Sequence, residues 1–425
     1  MNIAIFSDTY SPQVNGVVSS ILTLEKKLRE QGHNVYVFTI THPDADDKNS
    51  PYVYRMASLP FVFLKDHRVG VVYSKKAVKQ MKKLKLDLIL TQTEFSIGIF
   101  GRIVAHKLDI PIVHTYHTVY EDYMHYISKG IEFSPKIARK YSKSFCNHVS
   151  GVVAPTKKTE KLLRSYGVTK PIRIIPTGID FTPFNPVNYS TNEITHLKEV
   201  FNVPLDSPIV LFVGRVAQEK SIDVVIKAMP KVLEKIPNAK LVIVGDGPSR
   251  LEMEELAHTL GIRDSVIFTG MQPWNTIGRM YQLGDIFVSA SVTETQGLTF
   301  AEAMAAALPV LAMEDESVAG LLRHEYNGLF FHNTDELSDA IIRVLSNKEL
   351  REELSNNALH SIKPLSAETF GHNAEEFYKE IITMYKADLE NAEKPKHKKI
   401  LTLEKSLNFP QKIKSTFTHK DDAEL

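Results

Sequence analysis

The sequence predicts an α/β chain built from two Rossmann-like, doubly wound parallel-sheet domains. Two observations carry that expectation. Short apolar runs alternate with segments of helical periodicity, the pattern of βαβ units feeding a parallel sheet. The alternation restarts after a polar stretch at 185–208, and 425 residues are enough for two domains of ordinary size.

The first half opens with the apolar run Asn2-Ile3-Ala4-Ile5-Phe6, a loop containing Pro12 and Gly16, and a helical pattern through Val17, Ile21, Leu24 and Leu28 that stops near Gly32. Val35-Tyr36-Val37-Phe38-Thr39-Ile40 completes the β-loop-α-β unit. Further buried strands are read at 86–91, 110–114, 151–154 and 172–175. The second half begins with Ile209-Val210-Leu211-Phe212-Val213, then Gly214 and a helix through 222–233. Strands follow at 240–244, 266–268, 286–288 and 309–311, and helical patterns at 337–345 and 374–385 close the fold. From about 391 the apolar periodicity is lost. That tail carries Lys394, Lys396, Lys398 and Lys399 before Ile400, Leu401 and Leu403, and reads either as a mobile tail or as a membrane contact.

Composition excludes several classes. At 43% hydrophobic and 24% charged residues the chain is neither disordered nor collagen-like. One cysteine, Cys146, forms no internal disulfide and no multi-cysteine zinc site, which fits a reducing compartment. Asp8 interrupts the apolar core a signal peptide would need, and no run approaches the ~18 apolar residues of a membrane span. A cytoplasmic protein is expected. The net charge of +1 conceals an asymmetry. Residues 1–190 hold 26 Lys and Arg against 15 Asp and Glu (+11), and residues 191–390 hold 17 against 30 (−13). A basic half facing an anionic surface is the simplest reading.

The segment Glu294-Thr-Gln-Gly-Leu-Thr-Phe-Ala-Glu302 places two carboxylates around a glycine at the start of an Ala-rich helix. With Pro12…Gly16, His117, Ile175-Pro176-Thr177-Gly178-Ile179-Asp180, Gly214-Arg215…Glu219-Lys220 and Gly245-Asp246-Gly247-Pro248, it resembles family 4 of the retaining nucleotide-sugar glycosyltransferases over roughly residues 1–385. The resemblance implies the GT-B fold: an N-terminal acceptor and membrane domain at 1–190, a nucleotide-sugar domain at 191–370, and a helix at 371–390 packing back on the first. It also implies retention at the anomeric carbon, no metal and no cofactor besides the donor substrate. Elementary chemistry agrees. A departing diphosphate needs cations and oriented N–H groups. Gly297, Leu298 and Thr299 would offer N–H groups at a helix start, and Arg215 and Lys220 a guanidinium and an ammonium. Gly16 would let the opposite domain approach the phosphates. Glu294 would accept from sugar hydroxyls and Glu302 from the ribose, while His117 resembles the family's histidine beside sugar and acceptor. The Gly245–Pro248 stretch is left open between a contact and a simple turn, and His114 reads as a buried strand residue.

For the acceptor, Pro111-Ile-Val-His-Thr-Tyr-His117-Thr-Val-Tyr120-Glu-Asp-Tyr123-Met-His-Tyr126-Ile127 resembles bacterial diacylglycerol glucosyltransferases, which make an α-glucolipid from UDP-glucose and the 3-hydroxyl of 1,2-diacylglycerol. Tyr120, Tyr123 and Tyr126 would line an acyl cleft or serve as core. Two basic amphipathic segments, with Lys75, Lys76, Lys79 and Lys83 and with Arg139 and Lys140 beside the stripe Phe133, Ile137, Tyr141, Phe145, suit an anionic membrane surface. A peripheral protein on the inner face of the cell membrane follows, with no nucleic-acid partner. Other family 4 acceptors or sugars, and less strongly a nucleotide-sugar epimerase, stay as alternatives. One departure stands out: many family members carry Gly-Gly-x-Pro-Glu after the strand near 310, where this chain has Met313-Glu314-Asp315-Glu316-Ser317.

Overall fold

The computed structural model describes residues 1–13, 15–45, 50–60, 68–70, 74–119 and 135–391. Met1–Ile382 forms one compact unit that holds both sheets; a second, Thr383–Leu425, is described as far as Asn391, where the last helix ends.

The first lobe is a parallel sheet of β1 (Asn2–Phe6), β2 (Asn34–Ile40), β3 (Val53–Met56), β6 (Leu88–Thr91), β7 (Ile112–Thr115), β8 (Gly151–Ala154) and β9 (Ile172–Ile174). Their order is β3-β2-β1-β6-β7-β8-β9. Two short strands, β4 (Ser58–Pro60) and β5 (Arg68–Gly70), pair antiparallel beside it. The second lobe is a parallel sheet of β10 (Ile209–Val213), β11 (Lys240–Val244), β12 (Val266–Gly270), β13 (Ile286–Ser289), β14 (Val310–Met313) and β15 (Gly328–Phe331), in the order β12-β11-β10-β13-β14-β15.

Both sheets are covered on two faces, which is why their strands read as continuous apolar runs rather than alternating ones. In β1, Ala4 and Phe6 join Phe100, Val104 and Phe145 on one face. Ile3 and Ile5 join Ile21, Leu24 and Leu28 of the helix Gly16–Glu30 on the other. Phe370, Ala374, Phe377 and Ile381 of the last helix belong to that same core. The second sheet has matching cores, with Val225, Ile226, Met229 and Ile341 on one side and Phe300, Ala303 and Met304 on the other.

The α/β alternation is therefore as the sequence predicts. Strand boundaries differ at irregular backbone: β7 starts at Ile112 rather than 110, because Asp109 leaves its helix in a left-handed conformation (φ 52°) and Pro111 has no N–H to give a ladder. The edge strand β3, where Arg55 interrupts the apolar run, and the four-residue β15 are strands that the sequence reading does not include. The lobes are joined by two crossovers running side by side: Ile179 N–H donates to Leu365 O at 2.8 Å and Ala367 N–H to Ile179 O at 3.0 Å. Gly178 permits that approach. A Cβ there would stand 2.5 Å from Phe370 Cβ and 2.7 Å from Ser366 O.

Candidate active site

In a doubly wound sheet the ligand crevice lies beyond the carboxyl ends of the strands where winding reverses. In the second lobe those strands are β10 and β13. The loop after β10 carries Arg215 and Lys220, and the loop after β13 carries Glu294 and Gly297. A 3-10 turn, Gln218–Lys220, ends at Ser221 in a left-handed conformation (φ 49°). The Glu219 carbonyl accepts from Ser291 Oγ at 3.3 Å and Thr293 Oγ1 at 3.2 Å, stitching the loops together. Lys220 Nζ then donates to Glu294 Oε1, with both side chains largely buried. The sequence reading gave these two residues separate contacts, a phosphate and a sugar. In the structure they also pair with each other, so each charge has a partner inside the crevice.

Gly297 sits at φ +71°, and a Cβ on it would lie 2.6 Å from Phe300 Cδ2, so glycine is required on both counts. It opens the helix Leu298–Ala305, which no side chain caps. The first N–H groups, those of Leu298 and Thr299, are therefore left for an anion, with the dipole's positive end behind them. The helix ends at Ala305, and Ala307 turns left-handed (φ 58°) ahead of Pro309. Within it Glu302 is buried and accepts from Tyr281 OH at 2.7 Å. Burial pushes its carboxyl up to about 7, against the pull of the Tyr281 hydrogen bond. Arg215 is exposed at the crevice rim. Its loop is braced from below: Val216 N–H donates to Asp246 O and Ser249 N–H to Val216 O, both at 3.0 Å. Gly245-Asp246-Gly247-Pro248 thus forms a bracing turn, and its Asp246 accepts from Arg250 at 3.0 Å.

In the first lobe the winding reverses between β1 and β6. Asp8, after β1, accepts from Ser96 Oγ, from Thr93 Oγ1 at 2.7 Å and from Ile97 N–H at 3.0 Å, which fixes the loop against a helix start. Burial raises its pKa, although those hydrogen bonds oppose the rise. Gly16 begins the next helix at the surface. A Cβ on it would meet only Leu298 Cδ1, at an ordinary 3.7 Å, so the two expected donor residues face each other across the lobes without Gly16 being sterically compelled. His117 follows β7. Its Nε2–H donates to Gln92 Oε1 at 2.7 Å. Burial, with the neighbouring His114 adding to it, pulls the ring down to about 3, so His117 is neutral at any ordinary pH. His114 is a fully buried strand residue, as read from sequence, with Nε2 3.1 Å from Glu94 Oε1.

This geometry coincides with what comparisons show. The family described as Glycosyltransferase Family 4 matches residues 14–182, and Glycosyl transferases group 1 matches residues 193–361. The alpha-monoglucosyldiacylglycerol synthase of Streptococcus pneumoniae is 38% identical over 90% of this chain and 86% of its own length. The protein of that name from Acholeplasma laidlawii is 35% identical over 90% and 98%. The chain is a family 4 glycosyltransferase. Anabaena HepE in complex with UDP-glucose superposes with a TM-score of 0.73 at 18% identity, covering 89% of this chain and 99% of that one, which gives this family 4 transferase the GT-B fold.

The remaining expected residues of the transferase lie on the first lobe. In the helix Lys75–Lys83 the apolar stripe is spent on the protein's own core, where Val78 and Met81 are buried, and Lys75, Lys79 and Lys83 stay exposed. In the helix Pro135–Asn147 the stripe splits: Phe145 is buried and Tyr141 donates to Glu94 O, while Ile137 is half exposed beside exposed Arg139 and Lys140. Among the described residues, the outer faces of these two helices are cationic, with Ile137 exposed on the second. Tyr120, Tyr123, Tyr126 and Phe133 lie outside the described residues, as does the Lys76 side chain. Among the described residues no helix is long and apolar enough to cross a membrane, and no group of three or more His, Cys, Asp or Glu could hold a metal ion. Sequence reasoning missed Gln92, Tyr281, Lys158 and Gln296. Lys158 had a signal: with Lys157 it puts positive charge in the first turn of a helix, against the dipole, at a cost of roughly 0.3–1 kcal/mol that calls for a partner.

Proposed function

We propose that the chain is a retaining, metal-independent hexosyltransferase that moves glucose from UDP-glucose to the 3-hydroxyl of 1,2-diacylglycerol, working peripherally on the cytoplasmic face of an anionic membrane. The observation that carries the transfer chemistry is the Lys220–Glu294 pair, with Glu294 three residues before Gly297 and the uncapped start of the Leu298–Ala305 helix. The acceptor rests on the two synthases similar along most of their length and on the cationic outer helices.

In this mechanism the diphosphate lies at the N–H groups of Leu298 and Thr299, with Arg215 and Lys220 meeting its charge. The bond from glucose C1 to the β-phosphate oxygen breaks with its electrons going to the phosphate. The acceptor oxygen bonds C1 on the same face, and its proton passes to the departing phosphate oxygen, giving UDP and the α-glucolipid. A ring held near pKa 3 is a poor base, so His117 positions sugar and acceptor as a neutral hydrogen-bonding group. Glu302 takes the ribose hydroxyls.

Incubation with UDP-glucose and diacylglycerol in anionic vesicles tests this, with the product read by mass and by anomeric coupling. An α-monoglucosyl lipid is the expected result. No lipid product, alongside turnover on a soluble acceptor, would retire the lipid assignment; a β-anomer would retire retention.

A further inference from the structure

The seam between the lobes concentrates on one loop, 292–297, which contains Glu294 and Gly297. From the first lobe, the helix Lys157–Ser165 meets it with its N-terminal end. Thr156 Oγ1, the cap of that helix, donates to Thr295 O at 3.0 Å. Lys158 Nζ uses its donors on Val292 O at 3.1 Å and on Asp315 Oδ1 and Oδ2 at 2.7 and 2.9 Å. From the crossover, Thr177 N–H donates to Gln296 Oε1 at 2.7 Å, and Gln296 Nε2 donates back to Thr177 O at 2.9 Å. Thr177 Oγ1 lies 3.0 Å from Ser20 Oγ in the helix that begins at Gly16.

The contacts are unequal. The Lys161–Glu316 pair beside them has both side chains about 60% exposed, 59% and 61%, where salt and solvent leave it little force. Lys158 and Asp315 are 30% and 17% exposed, and the ammonium meets both carboxylate oxygens. Asp315 belongs to the stretch that departs from the usual family turn, and its carboxylate is committed to Lys158. Gln296 is specific too, because its primary amide both gives and takes a hydrogen bond at the backbone of one residue, Thr177.

We propose, resting on the transferase reading of this site, that Lys158 and Gln296 are positioning residues: they clasp the 292–297 loop to the first lobe and its crossover, so that Glu294 and Gly297 reach their working positions only when the lobes are closed. Arm by arm, Lys158 holds the start of the loop through Val292, Thr156 its middle through Thr295, and Gln296 its end beside Gly297. Closure and loop geometry are one event, and the hydrogen bonds of Lys158 and Gln296 named above run to Val292, Asp315 and Thr177.

Lys158→Met and Gln296→Glu test the clasp in the full chain, with three readouts: kcat on UDP-glucose and diacylglycerol vesicles, Kd for UDP by calorimetry, and radius of gyration by small-angle scattering. Each variant is expected to lower kcat roughly 10- to 10²-fold, the scale of a displaced site, with Kd for UDP within about threefold and a larger radius of gyration. The exchanged pair Lys158→Asp with Asp315→Lys should recover compactness and part of kcat. The nearly isosteric Gln296→Glu keeps the test alive if Lys158→Met fails to fold. Wild-type kcat in both variants, an unchanged radius, or a loss of UDP affinity as large as the loss of kcat would overturn the proposal. Should the unmodified protein turn over no UDP-glucose, the transferase reading fails, while the scattering comparison still decides whether the clasp holds the lobes.

Discussion

The two switch points of this transferase are built from opposite materials. The second lobe's crevice is made of charge: an ammonium, a guanidinium, a carboxylate and an uncapped helix start gather at the ends of β10 and β13. The first lobe's crevice is made of neutral or satisfied groups. His117 is uncharged and held by Gln92, and the Asp8 carboxylate is consumed by Ser96, Thr93 and Ile97. Net charge runs the other way, +11 in residues 1–190 and −13 in residues 191–390. Bulk charge therefore reports the outer helices and not the crevices. On the proposed function, a half-chain rich in acid cradles a diphosphate through the local field of Arg215, Lys220 and a helix start, which counts for more there than the summed charge of the lobe.

The charged side of this contrast should break hardest. Lys220→Ala removes a fixed cation from the leaving group and strands Glu294 without its partner. A fall in kcat of roughly 10²–10³-fold is expected, the range seen when one transition-state donor is lost. Steady-state kinetics at saturating UDP-glucose would measure it. Near-normal turnover would mean that the diphosphate sits elsewhere and that the two crevices do not differ as described.

Outside the crevice the contrast reverses, and the first lobe's lysines become the charged element. With Val78 and Met81 turned into the core, the proposed membrane contact of the helix Lys75–Lys83 would act by charge rather than by insertion. Each basic side chain near an anionic surface contributes about 1 kcal/mol. Reversing Lys79, Lys82 and Lys83 to Glu should therefore lower partitioning onto anionic vesicles by roughly 10²-fold or more at low salt, with the deficit shrinking as salt rises. Co-sedimentation across a salt series reads both. Binding that survives both reversal and high salt would point to an apolar contact instead.

Why one crevice was legible in the sequence and the other less so follows from the same contrast. Charge chemistry leaves short local signatures: Gly297 before an Ala-rich helix, Glu294 ahead of it and Glu302 within it, and Arg215 and Lys220 after a strand all fall within short stretches of chain. The sheets were legible because strands buried on both faces are unbroken apolar runs. What escaped depends on partners far apart in sequence. Gln92 reaches His117 across 25 positions, Tyr281 reaches Glu302 across 21, and Lys158 reaches Asp315 across 157. No local pattern marks such pairs. The same cause hid the Lys220–Glu294 pairing, since each residue alone looked ready for a ligand. The amphipathic helices misled for a related reason: periodicity shows that a stripe exists, and only packing shows what covers it.

The smallest effect separates the crevices by pH. Glu302 in the second lobe titrates at about 7, raised by burial, and His117 in the first at about 3, lowered by burial. Between pH 8 and 6 Glu302 changes charge and His117 does not. A protonated Glu302 loses its charge-assisted hold on ribose hydroxyls, so UDP affinity should fall below about pH 7 by up to about tenfold per unit. Tyr281→Phe removes the hydrogen bond that favours the carboxylate and should move that midpoint upward, which separates Glu302 from the titration of UDP itself. Stability carries the opposite signs. Folded Glu302 binds a proton that the unfolded chain releases between about pH 4.5 and 7, so its contribution falls as pH rises. Unfolded His117 binds a proton that the folded chain refuses between about pH 3 and 6.5, so its contribution rises with pH. From pH 4.5 to 6.5 the two oppose each other. Glu302→Gln should therefore unmask a stability that climbs with pH by up to about 1.4 kcal/mol per unit in denaturant titrations. If that variant shows the same pH slope as the unmodified chain, Glu302 titrates as an ordinary carboxylate, and the second crevice is wetter than its burial implies.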